Sequence, residues 1–200
     1  MIRDLAEIIK KKGRSFSQVT MKHYGKLKPF LLWISPSARA YFKTTILRVV
    51  FKLFYSMKPG VLFDKSFKEG VNLIGYPLAD IGEGEFIRQT ARALSRIGID
   101  FGVHNSNFET RLDQNNQELV SLVQPSNSYL VNIFHLKPGQ IEESIIRYGE
   151  SLVSGHFNIG YWTWELSKHP VTWMNSLNHF HEIWCPSQFI ESAVSDSSLR

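Results

Sequence analysis

The sequence predicts an α/β fold organised on a doubly wound parallel sheet. Three observations predict it. Short apolar runs alternate with segments of helical periodicity through residues 61–200, as parallel strands covered on both faces require. The runs are too short for helices and rich in large apolar side chains. The first run leads through a glycine-bearing loop into a helix. That is the opening unit of a nucleotide-binding domain, in which loop N–H groups and the helix dipole favour an anion.

That unit is GVNLIGYPLADIGEGEFIRQTARALSRI, residues 70–97. Residues 71–76 read as a buried strand, and Pro77, Asp80, Gly82 and Gly84 mark the loop. Phe86, Ile87, Thr90, Ala91, Leu94 and Ile97 then recur at three and four residues, with Arg88, Arg92 and Arg96 on another face. Gly98 is placed to stop the helix. The loop lacks the third glycine of G-x-G-x-x-G, because Ile87 stands there, which disfavours a nicotinamide-linked oxidoreductase. No Gly-Lys-Ser/Thr follows either. Glu83 and Glu85 repel a phosphate unless their side chains point away. A tight turn without a ligand and a loop facing phosphate are both open readings of these residues.

The later elements continue the rhythm. Residues 99–104 are a second strand, and 105–124 are polar and loop-like. Residues 128–136, SYLVNIFHL, are a third strand, followed through Lys137-Pro138-Gly139 by a helix over 140–148. Residues 157–164, FNIGYWTW, are a fourth strand running into Glu165. His169-Pro170 opens a helical turn, 182–185 are a short fifth strand, and a helix follows over 188–195. Ligands of such a sheet belong at the carboxyl ends of its strands.

Charge separates the chain into two parts. Residues 1–60 hold 13 Lys and Arg against 2 Asp and Glu, a net +11; residues 61–200 hold 10 against 16, a net −6. The domain is therefore acidic, which excludes a nucleic-acid partner. The basic leader contains helical periodicity over 46–57, with Ile46, Val49, Val50, Leu53, Phe54 and Met57 on one face and Arg48 and Lys52 opposite. Such a helix lies on an anionic membrane surface, or packs on the domain or joins it to something upstream. Pro59-Gly60 ends the leader, and the domain begins near Val61. The single cysteine, Cys185, suits a reducing compartment and reads as an inert thiol in an apolar strand. The start MIRDLAEIIKKKGR lacks the apolar core of a signal peptide, so a cytoplasmic location is expected.

Several residues carry candidate chemistry. His135 ends the third strand, where a neutral imidazole can hydrogen-bond a hydroxyl or take its proton, or simply cap the next turn. Tyr161, Thr163 and Glu165 alternate onto one face and Trp162 and Trp164 onto the other, the tryptophans reading as core. Glu165 can accept hydrogen bonds from hydroxyls, or serve as a helix-end charge or salt-bridge partner. Ser187 reads as a helix N-cap. His179-x-His181-Glu182 has no further ligand set around it and reads as structural rather than as a metal site.

Four phrases in order, GVNLIGYPLADIGEGE, VNIFHLKPGQ, NIGYWTWELSKHP and EIWCPSQF, resemble the N-terminal half of a group-1 (family 4) retaining glycosyltransferase of the GT-B fold. The resemblance covers residues 70–194 and leaves the leader out. It implies a Rossmann-like, acceptor-side domain. It places Gly82, Glu83 and Gly84 in the loop approaching the donor's phosphates, and His135 and Glu165 as groups that position sugar hydroxyls. It implies transfer of a hexose from a nucleotide-sugar to a glycan or lipid-linked hydroxyl, with retention and without a metal. The family's donor-binding domain would follow Arg200. Without it, the alternative is a non-catalytic acceptor-binding domain or truncated remnant.

Overall fold

The computed structural model describes residues 63–64, 66–106 and 115–198, together with residues 11–15, 18–19, 33–35, 38–39, 41, 45–46, 49–50, 53 and 55. The chain divides into two compact units, Lys58–Ile141 with Val153–Arg200, and Met1–Met57 with Glu142–Leu152. Most of the expected helix over 46–57 lies outside the described residues. Of its apolar face, Ile46, Val49 and Leu53 are exposed. In this smaller unit the Tyr55 hydroxyl donates to the Ile146 carbonyl at 3.3 Å, and Arg14 pairs with Glu150 at 2.9 Å. No helix among the described residues is long and apolar enough to cross a membrane.

The larger unit is a five-stranded, wholly parallel sheet with flanking helices, an α/β Rossmann-like fold. Its strands are β1 (Lys68–Gly75), β2 (Phe101–Asn105), β3 (Tyr129–Phe134), β4 (Phe157–Tyr161) and β5 (Glu182–Trp184), in the order β2-β1-β3-β4-β5. Its helices are α1 (Gly82–Arg96), α2 (Pro138–Tyr148, whose last turns belong to the smaller unit) and α3 (Gln188–Ser198). A 3-10 helix, Val171–His179, precedes β5. Strand order reverses between β1 and β3, and the carboxyl edge at such a switch point is where doubly wound folds bind their ligands.

Period-two alternation assigns the two faces. Val71 and Leu73 of β1, Val103 of β2, Ile133 of β3 and Ile159 of β4 pack with Ile87 and Ala91 of α1 in one apolar cluster. Ile74, Phe134 and Trp162 occupy the opposite face, where the rings of Phe134 and Trp162 both meet Phe180 edge-on, at 5.6 and 5.8 Å. That face also carries a polar row. Asn72, Asn132 and Asn158 are aligned neighbours on β1, β3 and β4. Asn72 Nδ2 donates to Asn132 Oδ1 at 2.8 Å, and Asn132 Nδ2 donates to Asn158 Oδ1 at 2.8 Å. Asn158 Nδ2 closes the row on the Val153 carbonyl at 2.8 Å.

Several elements differ from the expectation. Helix α1 begins at Gly82 rather than after the glycine loop. Gly98, at φ +71°, does follow its end. Strand β4 stops at Tyr161, so the alternation does not extend to Glu165. Trp162 is nevertheless fully buried. Within the polar stretch over 105–124, residues 107–114 lie outside the described ones. Its later part forms a 3-10 turn, Val120–Leu122, and puts Leu119 into the apolar cluster. Cys185 is half-buried rather than enclosed. Ser187 Oγ accepts from the Ile190 N–H at 3.4 Å at the start of α3.

Arg88 departs most from its expected place on a polar helix face, because it is buried. Its Nη1 donates to the carbonyls of Pro77 and Ala79, each at 3.0 Å, and its Nε to Glu85 at 2.9 Å. The guanidinium thus supplies a donor to two carbonyls of the loop. The Arg88→Met variant fills the space but leaves two carbonyls bare. We expect it to lose about 2–3 kcal/mol, read as a lowered urea midpoint; an unchanged midpoint contradicts this clamp.

Candidate functional site

The carboxyl ends of β3 and β4 and the first turn of α1 converge on one shallow depression, lined by Glu83, Phe86, His135, Leu136, Tyr161 and Thr163, with a cavity volume of about 10 Å³. His135 and Tyr161 continue the face of Ile133 and Ile159, so the same alternation that builds the core aims them under the start of α1. The loop that leads into α1 is folded tightly. A Cβ on Gly84 would collide with the Ala79 carbonyl oxygen, so only glycine fits there. At Gly82, by contrast, a Cβ would meet nothing within 4 Å, so this backbone faces open space.

His135 is the centre of the depression. Its backbone N–H donates to the Ile74 carbonyl at 2.8 Å. A Cβ on Gly75 would lie 2.9 Å from the His135 carbonyl oxygen, so β1 comes this close to it only through a glycine. The imidazole lies 4.9 Å from the Tyr161 ring, which in turn meets Phe86 at 5.8 Å. His135 is 2% exposed, and neither ring nitrogen has a hydrogen-bond partner. Buried polar groups are nearly always satisfied. Here a donor and an acceptor are both held ready beside an opening. Burial pushes the His135 pKa down to about 3. The ring is therefore neutral near pH 7, able to donate from one nitrogen and accept at the other. So low a pKa suits hydrogen bonding to a hydroxyl far better than taking a proton from it. Burial also raises the Tyr161 pKa, keeping its hydroxyl protonated.

The two acidic residues of the first turn of α1 have different fates. Glu85 points around the helix, where Arg92, Arg88 and Gln89 hydrogen-bond it and hold its pKa down at about 2. It is turned from the depression. Glu83 lines the depression and pairs with Lys137, Oε1 to Nζ 3.0 Å. Lys137 sits just before α2, and its N–H donates to the Gln140 side chain at 2.9 Å, half of a capping box. Gln140 in turn donates to the Tyr76 hydroxyl at 3.1 Å. The starts of α1 and α2 thereby flank His135.

The structure thus brings together His135 and the Gly82–Glu83–Gly84 turn. Glu165 lies in the exposed loop after β4, outside the lining of the depression. Thr163 lines the depression and Lys137 pairs with Glu83 at its rim, although neither is a candidate in the sequence reading. Lys137 has a sequence signal, a cation directly before a Pro that can open a helix; Thr163 has only its alternation with Tyr161. No group of three His, Cys, Asp or Glu side chains among the described residues is arranged to hold a metal. His181 Nδ1 instead accepts from the Asn158 N–H at 3.0 Å, and His179 is buried with its pKa pushed down to about 4. Comparison with family models, with curated proteins and with solved structures finds no match to this chain.

Proposed function

We propose that the sheet unit is the acceptor-side domain of a retaining glycosyltransferase of the GT-B type, working on a nucleotide-sugar and a glycan or lipid-linked hydroxyl. One observation carries the reading: a buried, neutral and unpartnered His135 at the topological switch point, under the first turn of a helix. An imidazole in this state matches a sugar hydroxyl, which both gives and accepts a hydrogen bond. Tyr161 and Phe86 supply the apolar surface on which a pyranose ring packs, and Thr163 adds a further hydroxyl. The donor's phosphates would face the Gly82–Glu83–Gly84 turn. The resemblance in the four sequence phrases supports the same reading.

The test is release of nucleoside diphosphate from UDP- and GDP-hexoses by the purified chain, with and without added glycan acceptors. His135→Ala is expected to lower the turnover about 100-fold or more, as the loss of a positioned hydrogen-bonding group does. In parallel, the ring signals of His135 in NMR spectra are expected to shift when hexose nucleotides are added. No turnover together with unmoved His135 signals would sink the proposal.

A further inference from the structure

We propose that Lys137 is the phosphate-recognising cation of this site and that Glu83 holds it in check. A phosphate or diphosphate group displaces the Glu83 carboxylate from Lys137 and takes its place at the start of α1. The inference rests on reading the depression as a ligand site, and it concerns how that site is charged and gated.

Four observations point the same way. The first turn of α1 has no side-chain cap, because its N-cap residue is Ile81, which offers no acceptor. An uncapped helix start of this length attracts an anion. His135 supplies the independent sign of a ligand, as it lines the same depression with both nitrogens unpartnered at 2% exposure. Glu85, the other carboxylate of the turn, is tied by two arginines and a glutamine on the side of the helix away from the depression. Glu83 remains as the single negative charge in the lining, and it reaches from α1 to the segment before α2 to pair with Lys137 at 3.0 Å.

This pair is built to exchange. Both side chains are partly exposed, so the pair is weak on its own. A dianionic phosphate offers Lys137 more charge than a carboxylate, and it meets the helix N–H groups as well. Arg88 would make a poor cation for this task because its guanidinium is fixed on the loop carbonyls. Lys137, a compact charge on a flexible stem, can follow the ligand. The diphosphate has two possible sources, a nucleotide-sugar donor or a lipid diphosphate acceptor, and both present the same oxygens.

The experiment is calorimetric titration of the full chain with inorganic pyrophosphate, then with UDP and with geranyl diphosphate. Lys137→Met is expected to weaken pyrophosphate binding about tenfold. Glu83→Gln is expected to tighten it about threefold or more, because the competing carboxylate is gone. Far-ultraviolet circular dichroism checks that both variants fold. A merely structural ion pair would make both changes weaken binding alike. Shifts of the same sign, no shift in either variant, or no pyrophosphate binding by the wild type each overturn the inference. Preference for UDP assigns the diphosphate to the donor; preference for the prenyl compound assigns it to the lipid. Hexose transfer that is indifferent to Lys137→Met removes this inference and leaves the transferase reading intact. Opposite shifts without any transfer do the reverse.

Discussion

Lowering the pH from 7 to 5 is expected to remove about 4–6 kcal/mol of stability from the sheet unit, enough to unfold a domain of ordinary stability. The cause is a set of buried histidines. Burial pushes His104 and His179 down to about 4 and His135 down to about 3, from an ordinary 6.5. Each is neutral in the folded state and becomes charged first in the unfolded chain. Their contribution is therefore complete above pH 6.5. It falls as the pH drops below that value and levels off only below the folded pKa values. At pH 5 each histidine accounts for about 1.5 pH units of this loss, or about 2 kcal/mol. Glu85, held down at about 2, acts in the same direction only in stronger acid. Thermal melts at pH 7, 6 and 5 test the expectation, with His179→Gln as a variant that should flatten the profile by about a third. A melting temperature that does not change from pH 7 to pH 5 would show that the histidines are not buried as described.

Asn132→Ala is expected to cost about 3 kcal/mol at neutral pH, the largest effect of any single substitution outside the apolar core. Asn132 is the middle of the row across β1, β3 and β4, and it is fully buried. Removing it strips Asn158 Oδ1 of its donor. It also takes one acceptor from Asn72, which keeps its 2.6 Å bond to the Tyr129 carbonyl. The remaining oxygen of Asn158 is then buried without a partner, and that penalty is the main term. The double variant Asn132→Ala, Asn158→Ala should accordingly cost at least about 1 kcal/mol less than the sum of the singles. Additive losses in urea titrations would mean that the row is not a connected unit. The row also fixes register: a slip of one residue between β1 and β3 would set Asn72 against an aliphatic neighbour.

Much of this fold is legible in the residues themselves. The five apolar runs become five strands because each is short, β-rich and interrupted by turn residues, and their parallel arrangement follows from the helices between them. The asparagines left a trace as well. Three runs carry one Asn followed by an aliphatic residue, in VNLI, VNIF and FNIG. Their partnership was not readable, since register between strands depends on packing across the sheet. Arg88 was misplaced for a related reason. Helical periodicity placed it with Arg92 and Arg96, but the Pro77 and Ala79 carbonyls it satisfies belong to a loop whose path no periodicity describes.

The site divides along the same line. The positions of His135 just past β3 and of Gly82–Glu83–Gly84 in the first turn of α1 are legible because the ends of strands and the starts of helices are marked locally, by apolar runs, prolines and glycines. Glu165 was placed by extending the alternation of β4 beyond Tyr161, where the strand has already ended. The pairing of Glu83 with Lys137 joins residues 54 positions apart and appears only when β1 and β3 lie side by side. By itself the sequence determined the class of fold and the order of its elements. Both follow from local periodicity and turn chemistry. The tertiary structure alone decided which side chains share the carboxyl edge of the sheet, which carboxylate is tied away from it and how deeply His135 is desolvated. Burial, charge pairing and register are properties of contacts between distant segments, and no local pattern encodes them.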